Sequence, residues 1–152
     1  MKHSVSCIAI VSLIFILASE GWCQAQHFDT SYSNFVRYLD KAAQLYFDSD
    51  DPSDKNILSH FTATTSLFAE KSYLFATLLE IFENMKSEGD KTYVKNRIEG
   101  VRTKEAGKLE NMIDITSRLV DTADNKGIQF LGYQIINEMR ILRRNIDHLN
   151  LQ

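Results

Sequence analysis

Phenylalanine recurs every seven residues through one stretch of the chain, at Phe61, Phe68, Phe75 and Phe82. We call these four residues the Phe ladder. Because residues seven apart on an α-helix lie two turns apart on nearly the same line, the ladder predicts one long helix with a broad apolar stripe. Such a helix is stable in water only when other elements cover the stripe. The rest of the chain therefore has to provide those covering elements.

The helix that carries the Phe ladder has a well-marked start. Asp51 is a predicted N-cap, and Pro52 suits the first helical position because its missing N–H would have no partner there. No proline or glycine interrupts the residues that follow, up to about Ser87. Gly89 is the expected stop, since glycine commonly follows the last turn of a helix.

A further amphipathic helix is predicted before the Phe ladder, from about Ser31 to Phe47. Asp29, Thr30 or Ser31 is expected to cap its N-terminus, because their side-chain oxygens can accept bonds from the free N–H groups of the first turn. Apolar residues three or four positions apart indicate the face that this helix buries. They are Tyr32, Phe35, Val36, Leu39, Ala42, Ala43 and Tyr46.

The third predicted helix runs from about Lys91 to Asp121, with Asp90 as its cap. Gly100 and Gly107 lie inside it, and a glycine in a helix interior costs about 1 kcal/mol relative to alanine. They indicate either close packing against a bulky neighbour, or a kink, or a division of the segment into two shorter helices. The predicted buried face consists of Val94, Ile98, Val101, Met112, Ile115 or Thr116, and Leu119.

The last helix is predicted from about Ile128 to Leu149, after a turn at residues 124–127. Its apolar residues form a heptad seam. The seam consists of Ile128, Leu131, Ile135, Met139, Leu142, Ile146 and Leu149. No strand-like alternation competes with the helical period over a useful length. The predicted fold class is therefore all-α, an up-down-up-down four-helix bundle that follows a cleaved signal peptide.

The signal peptide is predicted to occupy residues 1–23. Lys2 gives a positive start, residues 8–18 are apolar apart from one serine, and small or polar residues follow. Cleavage after Cys23 is favoured over cleavage after Ala25. An uncleaved membrane anchor is the alternative, although the apolar run is shorter than the roughly 20 residues that span a bilayer.

Removal of the first 23 of the 152 residues leaves 129, so residues 24–152 are predicted to form a single domain. Cys7 and Cys23 would both be lost, and the expected extracellular protein is disulfide-free and held together by packing alone. The net charge of −3 does not favour a nucleic acid as partner. No membrane span is expected after cleavage.

The sequence carries none of the compact motifs that mark enzymes, such as HExxH, GxSxG or a P-loop. The acidic loop at residues 48–54 fails as a calcium loop, because Pro52 and Ser59 stand at loop positions 5 and 12, where oxygen ligands belong. His60 has no further ligand at a metal-binding spacing. We therefore expect no catalytic residue, no cofactor, no metal site and no enzymatic activity.

These features favour a secreted, non-enzymatic protein that binds an extracellular macromolecular partner, as a signalling, defence or host-interaction factor. The exposed faces of the first and last helices are the expected contact surface. The alternative is an extracellular carrier of an apolar ligand, such as a fatty acid or sterol, bound along Phe61, Phe68, Phe75 and Phe82. The Phe ladder is then either a packed aromatic core or the lining of a pocket between helices. The heptad seam also permits a homodimer.

Overall fold

Four helices account for most of the chain in the computed structural model, which describes the backbone of residues 3–151 and the side chains of residues 24–151. They are α1 (His3–Asp48), α2 (Pro52–Asn84), α3 (Glu88–Asp121) and α4 (Lys126–Asp147). No residue between 3 and 151 belongs to a strand, so the predicted all-α class is confirmed. The predicted signal peptide, residues 1–23, lies outside the residues whose side chains are described. Both cysteines also lie there, so residues 24–151 pack without a disulfide.

The helices form a bundle in which each packs against its neighbours. α1 contacts α2 and α4, α3 contacts the same two helices, and α2 meets α4 across the centre. Within the described residues α1 and α3 do not touch, so they occupy diagonal corners. Phe28 stacks on Phe75, and Phe35 lies against Phe68. The numbering rises along α1 as it falls along α2, so these two helices run antiparallel.

α1 has no N-terminus at the predicted position near Ser31. The helix is continuous through Asp29, Thr30 and Ser31, so the prediction that one of them caps it was wrong. The Thr30 hydroxyl instead donates to the Gln26 carbonyl one turn earlier, at 2.8 Å. Residues with capping chemistry are tolerated inside a helix when their side chains find such local partners.

The buried face of α1 is turned relative to the predicted stripe. Phe28, Phe35 and Ala42 repeat at seven-residue intervals and are almost completely buried. Tyr32 and Val36, which were predicted to be core residues, are 39% and 38% exposed. The reason is that α1 packs against both α2 and α4, and the side chains buried on α1 are those that face these two helices.

α2 begins as predicted and ends early. Asp51 Oδ1 accepts a hydrogen bond from the Ser53 N–H at 2.8 Å, and Pro52 is the first helical residue. The helix ends at Asn84. Gly89, the predicted stop, instead lies in the first turn of α3.

α3 starts before its predicted cap, because Ser87 Oγ accepts a hydrogen bond from the Asp90 N–H at 3.4 Å. The helix is continuous through Gly100 and Gly107, so of the predicted alternatives the division into two shorter helices was wrong. A Cβ at either glycine would meet no atom within 4 Å, so close packing does not explain these glycines either. The close-packed glycine of the bundle is Gly132, on α4.

α4 matches its prediction most closely. All seven predicted seam residues are buried. Asn125 caps the helix by accepting hydrogen bonds from the N–H groups of Gly127 and Ile128, at 2.9 Å and 3.4 Å. A seam that meets two or three neighbours gives α4 the clearest division between apolar and polar faces.

Candidate functional site

Most of the Phe ladder belongs to the core. Phe61, Phe68 and Phe75 are completely buried, whereas Phe82 is half-buried at the edge of the same cluster. Phe68 and Phe75 pack against rings of α1, with centroid separations of 5.8 Å and 5.4 Å. Phe61 packs against Gly132 of α4. The three inner rings therefore fill the space where α1, α2 and α4 meet.

Other aromatic residues lie on the outer surface of the α1–α2 pair. The rings of Tyr32 and Tyr73 are 5.7 Å apart, and Tyr73 is 60% exposed. Nearer the α1–α2 loop, the rings of Tyr46 and Phe47 meet edge to face, and Phe47 is 82% exposed. We call these four residues the aromatic surface. Exposed aromatic side chains are over-represented in protein interfaces relative to other surfaces.

Sequence reasoning missed the aromatic surface, because it placed Tyr32 and Tyr46 in the core. A usable signal was present in the sequence. Phe28, Phe35 and Ala42 keep the seven-residue interval of the Phe ladder, which marks them as the centre of the buried stripe of α1.

An open groove lies beside Phe47, between α1 and α2. Its volume is about 390 Å³. Its lining residues are Ala43, Tyr46, Phe47, Ser59, Thr62 and Ala63. Lys55 Nζ stands 5.5 Å from the centre of the Tyr46 ring, so a cation already occupies one face of that tyrosine.

A larger groove lies at the opposite end of the same helix pair, and we call it the acidic groove. Its volume is about 570 Å³. Its lining residues are Ala25, Gln26, Asp29, Tyr73, Ala76, Thr77, Glu80 and Asn84. Glu83 is half-buried beside it, and burial together with the charge of Glu80 raises the pKa of the Glu83 carboxyl. The groove therefore combines carboxyl groups with an exposed aromatic ring.

A buried carboxylate joins α1 to α4. Glu138 is 5% exposed and accepts hydrogen bonds from the Ser31 hydroxyl at 2.7 Å and the Asn34 amide at 3.0 Å. These two donors provide hydrogen bonds that a buried carboxylate would otherwise form with water. This cluster fixes the position of α1 along α4, and it explains why Ser31 does not cap a helix.

The acidic loop has a structural role. Asp51 caps α2, and Asp54 is buried, accepting hydrogen bonds from Ser49 at 3.3 Å and from Asn125 at 3.2 Å. Asn125 is also the cap of α4. The loop carboxylates therefore join the start of α2 to the start of α4.

His60 lies between α2 and α3. Its Nε2 is 3.3 Å from Thr64 Oγ1 and 3.4 Å from Thr116 Oγ1. Burial lowers the pKa of the imidazole, because the surroundings disfavour the charged form. Two threonine hydroxyl groups therefore lie within hydrogen-bonding distance of the same ring nitrogen.

Within residues 24–151, no three His, Cys, Asp or Glu side chains are grouped so that they could hold a metal ion. In the same part of the chain, none of the helices has both the length and the apolar character needed to cross a bilayer. No protein-family model matches the chain, and no curated protein or solved structure is detectably similar to it.

Proposed function

We propose that this chain is a secreted, non-enzymatic helical protein that acts by binding an extracellular protein partner, in signalling, defence or host interaction. In this proposal residues 1–23 are removed as a signal peptide. Residues 24–152 then form an up-down-up-down bundle whose core provides stability and whose outer surface provides function. The proposal of a signal peptide rests on the short charged start and apolar run of the sequence.

The observation that carries the proposal is the aromatic surface. Its two ring pairs lie towards opposite ends of the α1–α2 pair. Tyr32 and Tyr73 are 39% and 60% exposed, and Tyr46 and Phe47 are 36% and 82% exposed. Leaving large rings in water forgoes the stabilisation that their burial brings, roughly 25 cal/mol per Å². Exposed aromatic rings of this kind are typical of binding sites, where a few large rings supply most of the affinity.

The test is partner capture from the extracellular fluid of the source organism, using the natively processed protein. We expect saturable binding that falls at least about tenfold when Phe47→Ser and Tyr73→Ser are combined, as for truncated interface rings. Tyr93→Ser is the matched control, because Tyr93 is 72% exposed on α3, away from the aromatic surface. The absence of saturable binding, or an equal loss with Tyr93→Ser, would contradict the proposal.

The signal peptide is tested separately by the intact mass of the protein recovered from the medium of its own cells. Loss of residues 1–23 supports secretion with cleavage after Cys23, and loss of residues 1–25 supports cleavage after Ala25. A full-length chain found only in the membrane fraction would contradict both.

A carrier of a fatty acid, sterol or similar apolar ligand along the Phe ladder remains the second proposal. A ligand there would have to displace the packed rings of Phe68 and Phe75, and α1 would have to separate from α2. Native mass spectrometry before and after organic extraction tests this proposal. A bound mass that extraction removes would support a carrier, whereas a bare protein mass would favour the surface-binding function.

A further inference from the structure

The carboxyl groups around the acidic groove form no ion pair within the described part of the chain. No ion pair among residues 24–151 involves Asp29, Glu80 or Glu83. Some acids elsewhere in the bundle are paired, as Glu105 is with Lys71 at 3.8 Å. The groove therefore keeps negative charge that the described side chains do not neutralise.

The end of α2 adds to this negative charge. The C-terminus of a helix carries about half a negative charge, which basic residues in the last turn normally offset. α2 has no basic residue in its last turn, and its final turns carry Glu80 and Glu83 instead. α4 is different, because Arg144 lies in its last turn and Arg102 donates to the carbonyl of its final residue, Asp147. Two cations thus lie at the end of α4, whereas the last turn of α2 contains none.

The protein holds like charges together at this point. Glu83 is partly removed from water, and both that burial and Glu80 raise the pKa of its carboxyl. Carboxylates that repel each other beside a negative helix end are destabilising in the free protein. An incoming positive charge would relieve that repulsion on binding.

Aromatic rings complete the site. Tyr73 lines the groove, is 60% exposed and pairs with Tyr32 at 5.7 Å. A tyrosine face attracts a cation, and a planar guanidinium both stacks on the ring and binds carboxylates through two parallel hydrogen bonds. Asp29 and Glu80 line the same groove as this ring. The chemistry therefore matches arginine better than an ammonium group.

We propose that the acidic groove binds an arginine-containing segment of the protein partner, with one guanidinium against Tyr73 and paired with Asp29 and Glu80. This inference rests on the proposed function of partner binding. The groove lies open along the helix pair and also presents Gln26 and Thr77, whose side chains can bond to a peptide backbone. An extended polypeptide fits such a site.

The probe is an acetylated and amidated pentapeptide of alternating glycine and arginine, titrated into the natively processed, isotope-labelled protein. Amide shifts are expected at residues 25–29 and 73–84 and should saturate. A peptide with citrulline in place of arginine has the same shape without the charge, and it should bind at least about tenfold more weakly. Binding should also weaken as salt is added.

Two substitutions and two matched controls locate the site. Glu80→Gln and Tyr73→Ser should each weaken binding of the arginine peptide about fivefold, as expected for a lost ion pair or cation–π contact. Asp114→Asn removes the same charge from the exposed surface of α3, and Tyr93→Ser removes an exposed ring there. The affinity of both control variants for the arginine peptide should stay within about twofold of that of the parent protein. Circular dichroism verifies that each variant is folded.

The inference is overturned if the citrulline peptide binds as tightly as the arginine peptide, if Asp114→Asn weakens binding as much as Glu80→Gln, or if no groove amide shifts. The inference would also be overturned if the protein formed a dimer as its concentration rose and the dimer no longer bound the peptide, since a second copy would then occupy the groove. Partner capture separates the two proposals. If the double variant with Asp29→Asn and Glu80→Gln captures a partner as well as the parent protein does, arginine binding in the groove is contradicted. The proposed function of partner binding is not.

Discussion

Gly132 of α4 lies so close to Phe61 of α2 that a Cβ on the glycine would stand 2.7 Å from Phe61 Cζ. The same Cβ would press against Val120 of α3, so three helices meet at this point. Phe61 and Val120 are both completely buried, so neither side chain can turn towards solvent without leaving the core. The absence of a side chain at residue 132 is therefore what lets α4 approach α2 and α3.

Gly132→Ala should destabilise the protein. Overpacking typically costs about 1–3 kcal/mol, and the higher helix propensity of alanine offsets about 1 kcal/mol of it. We therefore expect urea unfolding to show a net loss of stability of up to about 2 kcal/mol. Gly100→Ala and Gly107→Ala are the controls, because no atom lies within 4 Å of a Cβ at either position. Each should stabilise the protein by up to about 1 kcal/mol. A Gly132→Ala variant as stable as these controls would show that the helices are further apart than described.

Phe68→Ala should lower the free energy of unfolding by about 3–5 kcal/mol, the usual cost of deleting a fully buried ring. Phe47→Ala should change it by no more than about 0.5 kcal/mol, because that ring is 82% exposed. Chemical denaturation of the two variants measures the difference directly. Equal effects would contradict the assignment of Phe68 to the core and of Phe47 to the surface.

The Ser31–Glu138 hydrogen bond is expected to couple α1 to α4. Ser31→Ala removes one of two donors from a buried carboxylate, at a cost of about 1–3 kcal/mol. A double-mutant cycle with Glu138→Ala should give a coupling energy of about 0.5–3 kcal/mol. Ser33→Ala, two residues further along on the exposed surface, should lie within about 0.5 kcal/mol of the parent protein. Strict additivity of Ser31→Ala and Glu138→Ala would mean that the hydrogen bond does not form.

His60 should make stability depend on pH. Burial lowers the pKa of the folded-state imidazole below its ordinary value of 6.5, so the unfolded state binds the proton more tightly. The contribution of His60 is therefore full above about pH 6.5 and is lost as the pH falls from there through the folded-state pKa. The free energy of unfolding should decrease between about pH 7.5 and about pH 5, and this decrease should be smaller for His60→Gln than for the parent protein.

The control for that measurement is His148→Gln, because His148 is exposed at the end of α4. This variant should retain the pH dependence of the parent protein. If His60→Gln also retained it in full, the dependence would have to come from groups other than His60.

The sequence by itself determined the helical class and the two clearest apolar repeats. The Phe ladder and the α4 seam are periodic within one segment, and such a period specifies which side chains share a face of a helix. The start of α2 was also predictable, because Asp51 and Pro52 act on the N–H groups of their own first turn. These predictions depend only on neighbours within a few residues along the chain.

The tertiary structure alone decided how each helix is rotated against the others. Helical periodicity gives the relative positions of Tyr32 and Phe35 but not which of them faces α2, since contacts from two other helices set the angle. For the same reason the sequence pointed to Gly100 and Gly107 when Gly132 is the close-packed glycine. The acidic groove likewise exists only because antiparallel packing brings the residues around Asp29 beside the last turns of α2.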